Sequence, residues 1–345
     1  MAHLIDSSKG FDAFVAVAPA WHGLGTILPD GITTKQALTL GGLDYNVIKS
    51  PNIHRYPDGS EVVSKTSFFN WREDTRAILA SKIGSDYKVF LNASALEIVD
   101  EILQRGTTTI ETSGVIDGGK KAFIVLKYAK EINISGDVTK TYCLICTSHD
   151  GTQSIIAMPT NVRVVCNNTL QMALGKRNDR INIRHTQNAS NRLRDALKVL
   201  KLLDESMDQT EFAYYKASQT KFSDPQSFFD YIGNVFLSPE EITAFQKGAK
   251  KESLSKRKQN VIKEVLKYAE TGTGQASTLL DNTPTFWTGL NAITGYATRK
   301  KYKSADDRMD SLLFGGSSEL IDKATALATG NKQIQTLRQT TFNQN

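Results

Sequence analysis

The chain has 345 residues, of which 40% are hydrophobic and 23% charged, a composition typical of a soluble globular protein with one or two domains. No uninterrupted apolar run reaches membrane-spanning length, and the first residues lack the basic and apolar segments of a secretory signal. Three cysteines, an odd number, argue against a disulfide framework and indicate a reducing cytoplasm, while the net charge of +6 allows an anionic partner.

Residues 1–40 show little periodicity. Trp21 and His22 precede Gly23 in a short segment whose glycines allow a tight backbone. We interpret Trp21 as an anchor of the amino-terminal arm on the core; a ligand-binding or catalytic His22 is the alternative. Thr33 predicts the N-cap of a short helix that stops at the following glycine pair.

Residues 43–91 predict an antiparallel β-meander, because β-branched and aromatic runs alternate with turn residues. The predicted strands are Tyr45–Ile48, Ile53–Tyr56, Glu61–Ser64, Phe68–Arg72, Ala77–Ala80 and Tyr87–Phe90. Aromatic residues mixed with Arg55, Lys65, Arg72 and Arg76 are typical of a base-stacking platform. Aromatic residues also form strands well, and packing in the core is the simpler interpretation for most of them.

An amphipathic helix is predicted over residues 92–105, and two strands, Thr107–Ile116 and Ala122–Tyr128, follow it. The joint between the strands matches the start of a phosphate-binding loop, but Lys121 stands where that motif has Ser or Thr. The motif also opens a helix, whereas the residues that follow here are strand-like. We therefore interpret the joint as a hairpin turn and not as a nucleotide site.

Residues 141–158 predict a buried hairpin. Its two apolar strands flank Asp150 and Gly151, and glycine accepts the positive φ that tight hairpin turns need. Pro159 is expected to end the second strand, because proline donates no backbone hydrogen bond. His149 precedes Asp150; an acid–base pair is one interpretation of these neighbours, and a structural role in the turn is the simpler one.

A helix is predicted over residues 162–173, just after this hairpin. Cys143, Cys146, His149 and Cys166 match part of a zinc-binding spacing. A structural zinc site usually needs two close pairs of ligands, and two cysteines three positions apart on a strand point to opposite faces. We therefore expect the three cysteines to bind no metal.

The rest of the chain predicts helices. A helical period starts at Ser190, and two further helices are expected to begin at Pro225 and Pro239, because proline suits the first helical turn. The prediction is an α+β fold. Residues 1–187 form an antiparallel β-meander with packed helices, and residues 188–345 form a mainly helical region packed on that core.

Four groups of residues resemble a known family. They are Ser148-His149-Asp150-Gly151 with Arg163–Leu170, Trp21–Gly25, Arg184-His185-Thr186, and Thr285-Phe286-Trp287 with Asn291-Ala292. Together they resemble an uncharacterised phage and plasmid protein family known as domain of unknown function 932. The resemblance spans nearly the whole chain. It implies an origin in a mobile element and carries no established chemistry.

Positive charge is concentrated in residues 160–202, which hold nine Lys and Arg against two acids, so that the remainder is close to neutral. Such a cluster is typical of a phosphate-backbone partner; a solvated surface with its acids elsewhere is the alternative. Part of the cluster follows helical steps and predicts a row of cations on one helix face. The predicted nucleic-acid-binding residues are Arg163, Lys176, Arg177, Arg180, Arg184, Arg194, Lys198 and Lys201.

No complete catalytic motif is present, so we predict no catalytic residues, no metal and no cofactor. The resemblance, the clustered cations and the β-meander layout favour a phage or plasmid protein that binds and anneals single-stranded DNA in recombination. It would act in the host-cell cytoplasm as a homo-oligomeric ring or filament, without a membrane. Two alternatives stay open: a nuclease or nucleotide-processing enzyme acting against host defence, and a non-enzymatic interaction protein of phage replication or packaging.

Overall fold

The chain divides into two compact units, one made of Met1–Glu131 and Thr139–Met207, the other of Ile132–Val138 and Asp208–Asn345. A computed structural model describes most of both units. The described residues are 4–20, 23–134, 136–151, 155–160, 181–183, 189–271, 284–301, 303, 316–330 and 332. Trp21, His22 and the predicted helix over 162–173 therefore lie outside the described residues.

The strands are numbered in chain order. They are β1 Phe14–Ala16, β2 Thr26–Ile27, β3 Val47–Arg55, β4 Glu61–Arg72, β5 Ile78–Ile83, β6 Thr108–Ile116, β7 Lys121–Tyr128, β8 Ile132–Ile134, β9 Asp137–Thr139, β10 Tyr142–Ser148, β11 Ile155–Thr160 and β12 Ile181–Ile183. The α-helices are α1 Thr34–Leu40, α2 Asn92–Leu103, α3 Ala189–Gln219, α4 Pro225–Phe236, α5 Pro239–Gln246, α6 Lys256–Thr271, α7 Phe286–Arg299 and α8 Gly316–Ala328.

Seven strands form the main sheet of the first unit, in the order β12-β11-β10-β7-β6-β1-β2. Neighbouring strands are antiparallel except for β1 and β2, which are parallel. Strands and helices thus segregate along the chain, with strands mainly in the amino-terminal half and helices mainly in the carboxyl-terminal half. The predicted α+β class is confirmed.

Strand β10 is buried along its whole length, on both of its faces. Tyr142, Leu144 and Cys146 pack on one face in an apolar cluster with residues of β7 and β11, and α2 packs against β10. A strand covered on both faces needs apolar residues at every position, which explains the continuous apolar run in the sequence. Cys143 and Cys146 fall on opposite faces, as their spacing predicted. Burial raises the pKa of both thiols to about 12.

Two predicted hairpins are present in the main sheet. Strands β6 and β7 are joined by a short 3-10 turn, Asp117–Gly119, in place of a phosphate-binding loop. Strands β10 and β11 pair from Tyr142 with Thr160 onward. Strand β11 does not end at Pro159 as expected but continues to Thr160. Among the described residues, the other neighbour of β11, strand β12, pairs with residues 155–157, and this part of the ladder needs no N–H from Pro159.

A second, three-stranded sheet has the order β3-β4-β5 and is antiparallel. Its first two strands are longer than predicted, because the separate predicted runs continue into each other. The predicted strand over Tyr87–Phe90 was wrong: it is a loop. The ammonium group of Lys49 donates to the carbonyl oxygens of Ser85 and Tyr87, at 2.6 and 2.9 Å, so these acceptors are used outside any strand ladder.

Helix starts follow local sequence signals closely. Thr33, Asp224, Ser238 and Thr285 each accept a hydrogen bond from a backbone N–H of the first turn, and each helix has the reciprocal bond of a capping box. Proline occupies the first turn of α4 and α5, as predicted. The predicted starts of these helices are therefore confirmed.

The second unit packs its helices around aromatic side chains. Tyr231 on α4 is buried, and its hydroxyl donates to the carbonyl of Ala324 on α8 at 3.0 Å. A Cβ at Gly289 on α7 would lie 2.7 Å from the Tyr231 ring, so only glycine allows this close approach. Among the described helices, none has the length and apolar character needed to cross a membrane.

Candidate functional site

The first unit contains a buried polar centre around Arg72, the last residue of β4. Its side chain is fully buried, and its guanidinium donates to Asp6 at 2.6 Å and to Asp74 at 2.8 and 3.0 Å. Lys9 adds a second cation 3.1 Å from Asp74. Burial raises the pKa of the Asp74 carboxyl, but the hydrogen bonds from Arg72 and Lys9 outweigh it and hold the pKa at about 2. These charges therefore form one compensated group.

The turn between β6 and β7 closes over this guanidinium. Arg72 donates to the carbonyl of Gly118 at 3.2 Å and lies 4.1 Å from the centroid of the Tyr45 ring. The Tyr45 hydroxyl donates to the carbonyl of Gly119 at 2.8 Å. A Cβ at Gly119 would lie 2.6 Å from Arg72 Cδ, and φ there is +102°, so both sterics and backbone conformation require glycine. The turn that resembled a phosphate loop instead covers a buried arginine.

His149 extends the centre toward α2. The imidazole ring packs edge-on against the Tyr45 ring, with 5.7 Å between the ring centroids. His149 Nε2 lies 2.9 Å from Oδ1 of Asn92, the first residue of α2. Thr147 Oγ1 donates to the same oxygen at 2.8 Å, while Asn92 Nδ2 donates to the carbonyl of Leu43. Asn92 Oδ1 can therefore only accept, which places the imidazole proton on Nε2.

The other ring nitrogen, His149 Nδ1, is buried and has no hydrogen-bond partner among the described residues. Burial lowers the pKa of His149 to about 4; Asp150 opposes this shift and Arg72 adds to it. Asp150 accepts a hydrogen bond from the Ser148 hydroxyl. His149 is therefore a neutral, inaccessible imidazole, and the predicted structural role in the turn fits this geometry better than an acid–base pair.

The first unit is expected to lose stability as the pH falls below about 6.5, because the unfolded chain then binds a proton that folded His149 rejects. The folded pKa lies below the unfolded one, so the contribution is present at neutral pH. From pH ~7.5 to pH ~5 the loss is about 2 kcal/mol. Urea denaturation across this pH range measures it.

The matched variants are His149→Gln and His54→Gln, which change a buried and an exposed histidine of the same unit. His149→Gln should flatten the pH dependence of the free energy of unfolding, and His54→Gln should leave it as in the parent. An unchanged pH dependence in His149→Gln contradicts the assigned protonation state.

The buried centre changes the interpretation of the aromatic platform. Arg72 is sealed in the interior, and the Trp71 indole donates to Ser50 Oγ at 2.9 Å. Lys49 lies 4.5 Å from the centroid of the Phe68 ring. Arg72 is therefore inaccessible to a nucleic acid, unlike the base-stacking platform predicted from the sequence. Its buried charged group instead stabilises the packing of β4 against the turn between β6 and β7.

An exposed row of cations lies elsewhere in the first unit, on α3. Arg194, Lys198 and Lys201 are exposed, while Ala196 and Val199 of the same helix are buried. The row spans eight residues, 194–201, or about 10 Å along a helix. It is the part of the predicted nucleic-acid set that the structure brings together. The other members lie outside the described residues: Arg163, Lys176, Arg177, Arg180 and Arg184.

Acids of the same helix lie near the two lysines. Lys198 Nζ is 3.5 Å from Asp195, and Lys201 Nζ is 3.7 Å from Glu205, with 56% and 78% of the two lysine side chains exposed. Asp195 is only 13% exposed, whereas both side chains of the Lys201–Glu205 pair are exposed, so water and salt screen that pair and it contributes little to stability. Lys198 and Lys201 keep more than half of their side chains exposed and can exchange these acids for a bound anion.

The sequence profile of one family, described as a domain of unknown function, DUF932, matches residues 80–314, about two thirds of the chain. The chain belongs to the DUF932 family. The DUF932 match includes Asn92, His149 and the cation row, and it leaves Arg72 and Tyr45 outside. No curated protein and no solved structure gave a significant match.

Sequence reasoning missed the polar centre of this DUF932 protein. Arg72 and Asp6 are 66 positions apart, and His149 and Asn92 are 57 apart, so no local pattern joins them. The sequence did contain one signal. Gly118 and Gly119 lie between two apolar strands, beside a lysine pair that is not part of a complete phosphate-binding motif. Two successive glycines in such a turn indicate a close approach of another group.

Proposed function

We propose that this protein binds single-stranded nucleic acid and promotes annealing of complementary strands, as a protein of a phage or plasmid acting in the host cytoplasm. The observation that supports this function best is the exposed row Arg194, Lys198 and Lys201 on a rigid helix. Cations along one helix face can contact successive phosphates and leave the base edges free to pair. No nucleotide hydrolysis is needed for this role.

The distribution of charge along α3 supports an anionic partner. Residues 189–203 hold four Lys and Arg against one acid, and residues 204–219 hold one lysine against four acids. The cations thus lie in the first half of α3 and the acids in its middle, while Lys216 lies in the last turn. Lysine placed before glutamate, as in Lys201 and Glu205, is also the weaker order for a pair four residues apart. The local excess of three cations in residues 189–203 suits an anionic partner.

The proposal also assigns phosphate contacts to the five predicted cations between Arg163 and Arg184, which lie outside the described residues. A homo-oligomer, such as a ring or filament, would align several such surfaces into a track for one strand. A single row of three cations binds weakly on its own, so the proposal includes this assembly.

The proposal is tested with two complementary fluorescent oligonucleotides, followed by anisotropy for binding and by energy transfer for annealing. The protein should bind each oligonucleotide and speed their pairing without nucleotide or divalent metal. Metal-dependent cleavage of the labelled oligonucleotides would indicate the nuclease alternative. Absence of binding at low salt, where phosphate contacts are strongest, would instead leave the interaction-protein alternative.

A further inference from the structure

The tip of the β3–β4 hairpin is an exposed two-stranded ribbon, residues 53–63. Ile53 and Val63 expose 56% and 55% of their surfaces, and Tyr56 and Val62 are exposed to a similar degree. Neighbouring side chains on a strand point to opposite faces, so water reaches both faces of this ribbon. A two-stranded ribbon is marginally stable alone, and exposed apolar residues grouped at its tip are typical of an interaction surface.

One face of the ribbon has a simple pattern. The strand register places Ile53 opposite Val63 and Arg55 opposite Glu61, and both pairs fall on the same face. Arg55 Nε donates to Glu61 Oε1 at 2.8 Å, yet 75% of the arginine and 41% of the glutamate side chain stay exposed. This face, made of Ile53, Arg55, Glu61 and Val63, is called the ribbon face below.

The charge of the ribbon argues against a phosphate partner. Residues 53–63 hold Arg55 against Asp58 and Glu61, with His54 neutral, so the segment is slightly acidic. An apolar pair beside one cation and one anion suits a protein surface that also has apolar residues beside both charges. Consider two copies that face each other across a twofold axis parallel to the strands. Ile53 of one copy then lies over Val63 of the other, and Arg55 of one copy lies over Glu61 of the other. The ribbon face is therefore complementary to itself.

We propose that the ribbon face is a docking surface for the ribbon face of a second copy of this chain, which gives a twofold dimer. The contact covers the apolar pair and adds two ion pairs between copies. It uses residues separate from the cation row of α3, so it can hold or fail independently of nucleic-acid binding. A contact of this type closes on itself, so a ring or filament needs a further surface.

The test reverses one charge at a time and then mixes the products. Arg55→Glu makes the ribbon face acidic and Glu61→Arg makes it basic, so each variant alone repels its own copy. Sedimentation velocity should show a parent dimer and, for each variant alone, a dimer dissociation constant raised about 30-fold. An equimolar mixture should restore dimers of parent mass, because an acidic face then meets a basic one.

A second pair of variants tests the apolar contact against an internal control. Ile53→Ser should weaken the dimer about tenfold. Ile78→Ser changes an equally exposed isoleucine of the same sheet, outside the ribbon, and should leave the dimer unchanged. Circular dichroism of all variants should match the parent. A parent that is monomeric at every concentration overturns the proposal, as do reversed-charge variants that keep the parent's mass or a mixture that restores nothing.

Discussion

Replacing Arg72 with methionine is expected to lower the free energy of unfolding by about 3–5 kcal/mol. Methionine keeps much of the side-chain volume but removes the cation that Asp6 and Asp74 share. Asp6 is nearly inaccessible to water, so its carboxylate would stay buried without a cationic partner. Urea denaturation followed by circular dichroism measures the loss.

Two comparisons separate this effect from a general loss of packing. Arg76→Met changes an exposed arginine four positions away and should cost less than about 0.5 kcal/mol. Adding Asp6→Asn to Arg72→Met should recover part of the lost stability, since the buried negative charge is then removed. A loss for Arg72→Met no larger than that for Arg76→Met contradicts the role given to the centre.

The second large effect concerns binding. Replacing Arg194, Lys198 and Lys201 together with alanine is expected to weaken single-stranded DNA binding about 30-fold at low salt, and annealing should slow with it. Alanine is a strong helix former, so α3 should persist in the variant. Fluorescence anisotropy of a labelled oligonucleotide gives the affinity, and circular dichroism checks the helix.

The control variant removes the same charge from another place. Lys247, Lys250 and Lys256 are exposed in the second unit, and their replacement by alanine lowers the net charge equally. This control should bind within about threefold of the parent. Equal weakening in both triple variants would mean that total charge, and not the row on α3, governs binding.

Local features of the fold were predictable because their causes are local. The capping residues before α1, α4, α5 and α7 act within one helical turn, and the Asp-Gly and Gly-Gly turns act within one hairpin. Apolar and β-branched runs bounded by turn residues placed most of the described strands, but not the short strands β1, β2, β8 and β9. The exception is Tyr87–Phe90, where the carbonyl of Tyr87 accepts a hydrogen bond from Lys49 of β3, a residue distant in sequence, and not from a strand neighbour.

The polar centre was not predictable because long-range pairing decides it. Arg72 sits in an aromatic strand with other cations nearby, a pattern shared by exposed nucleic-acid platforms. Its burial depends on Asp6, 66 positions earlier in the sequence, and on glycines in a later turn. The cation row, in contrast, follows from helical spacing alone, and its exposure on α3 agrees with that spacing.

Salt dependence of binding tests the proposed function most directly. Each phosphate contact on a single strand contributes about 0.7 to the fall of log affinity with log salt. Anisotropy titrations over a series of salt concentrations should give a steep slope for the parent and a slope shallower by about 2 for the Arg194, Lys198 and Lys201 triple alanine variant. Equal slopes for the two proteins, or no binding by the parent at low salt, would contradict the account.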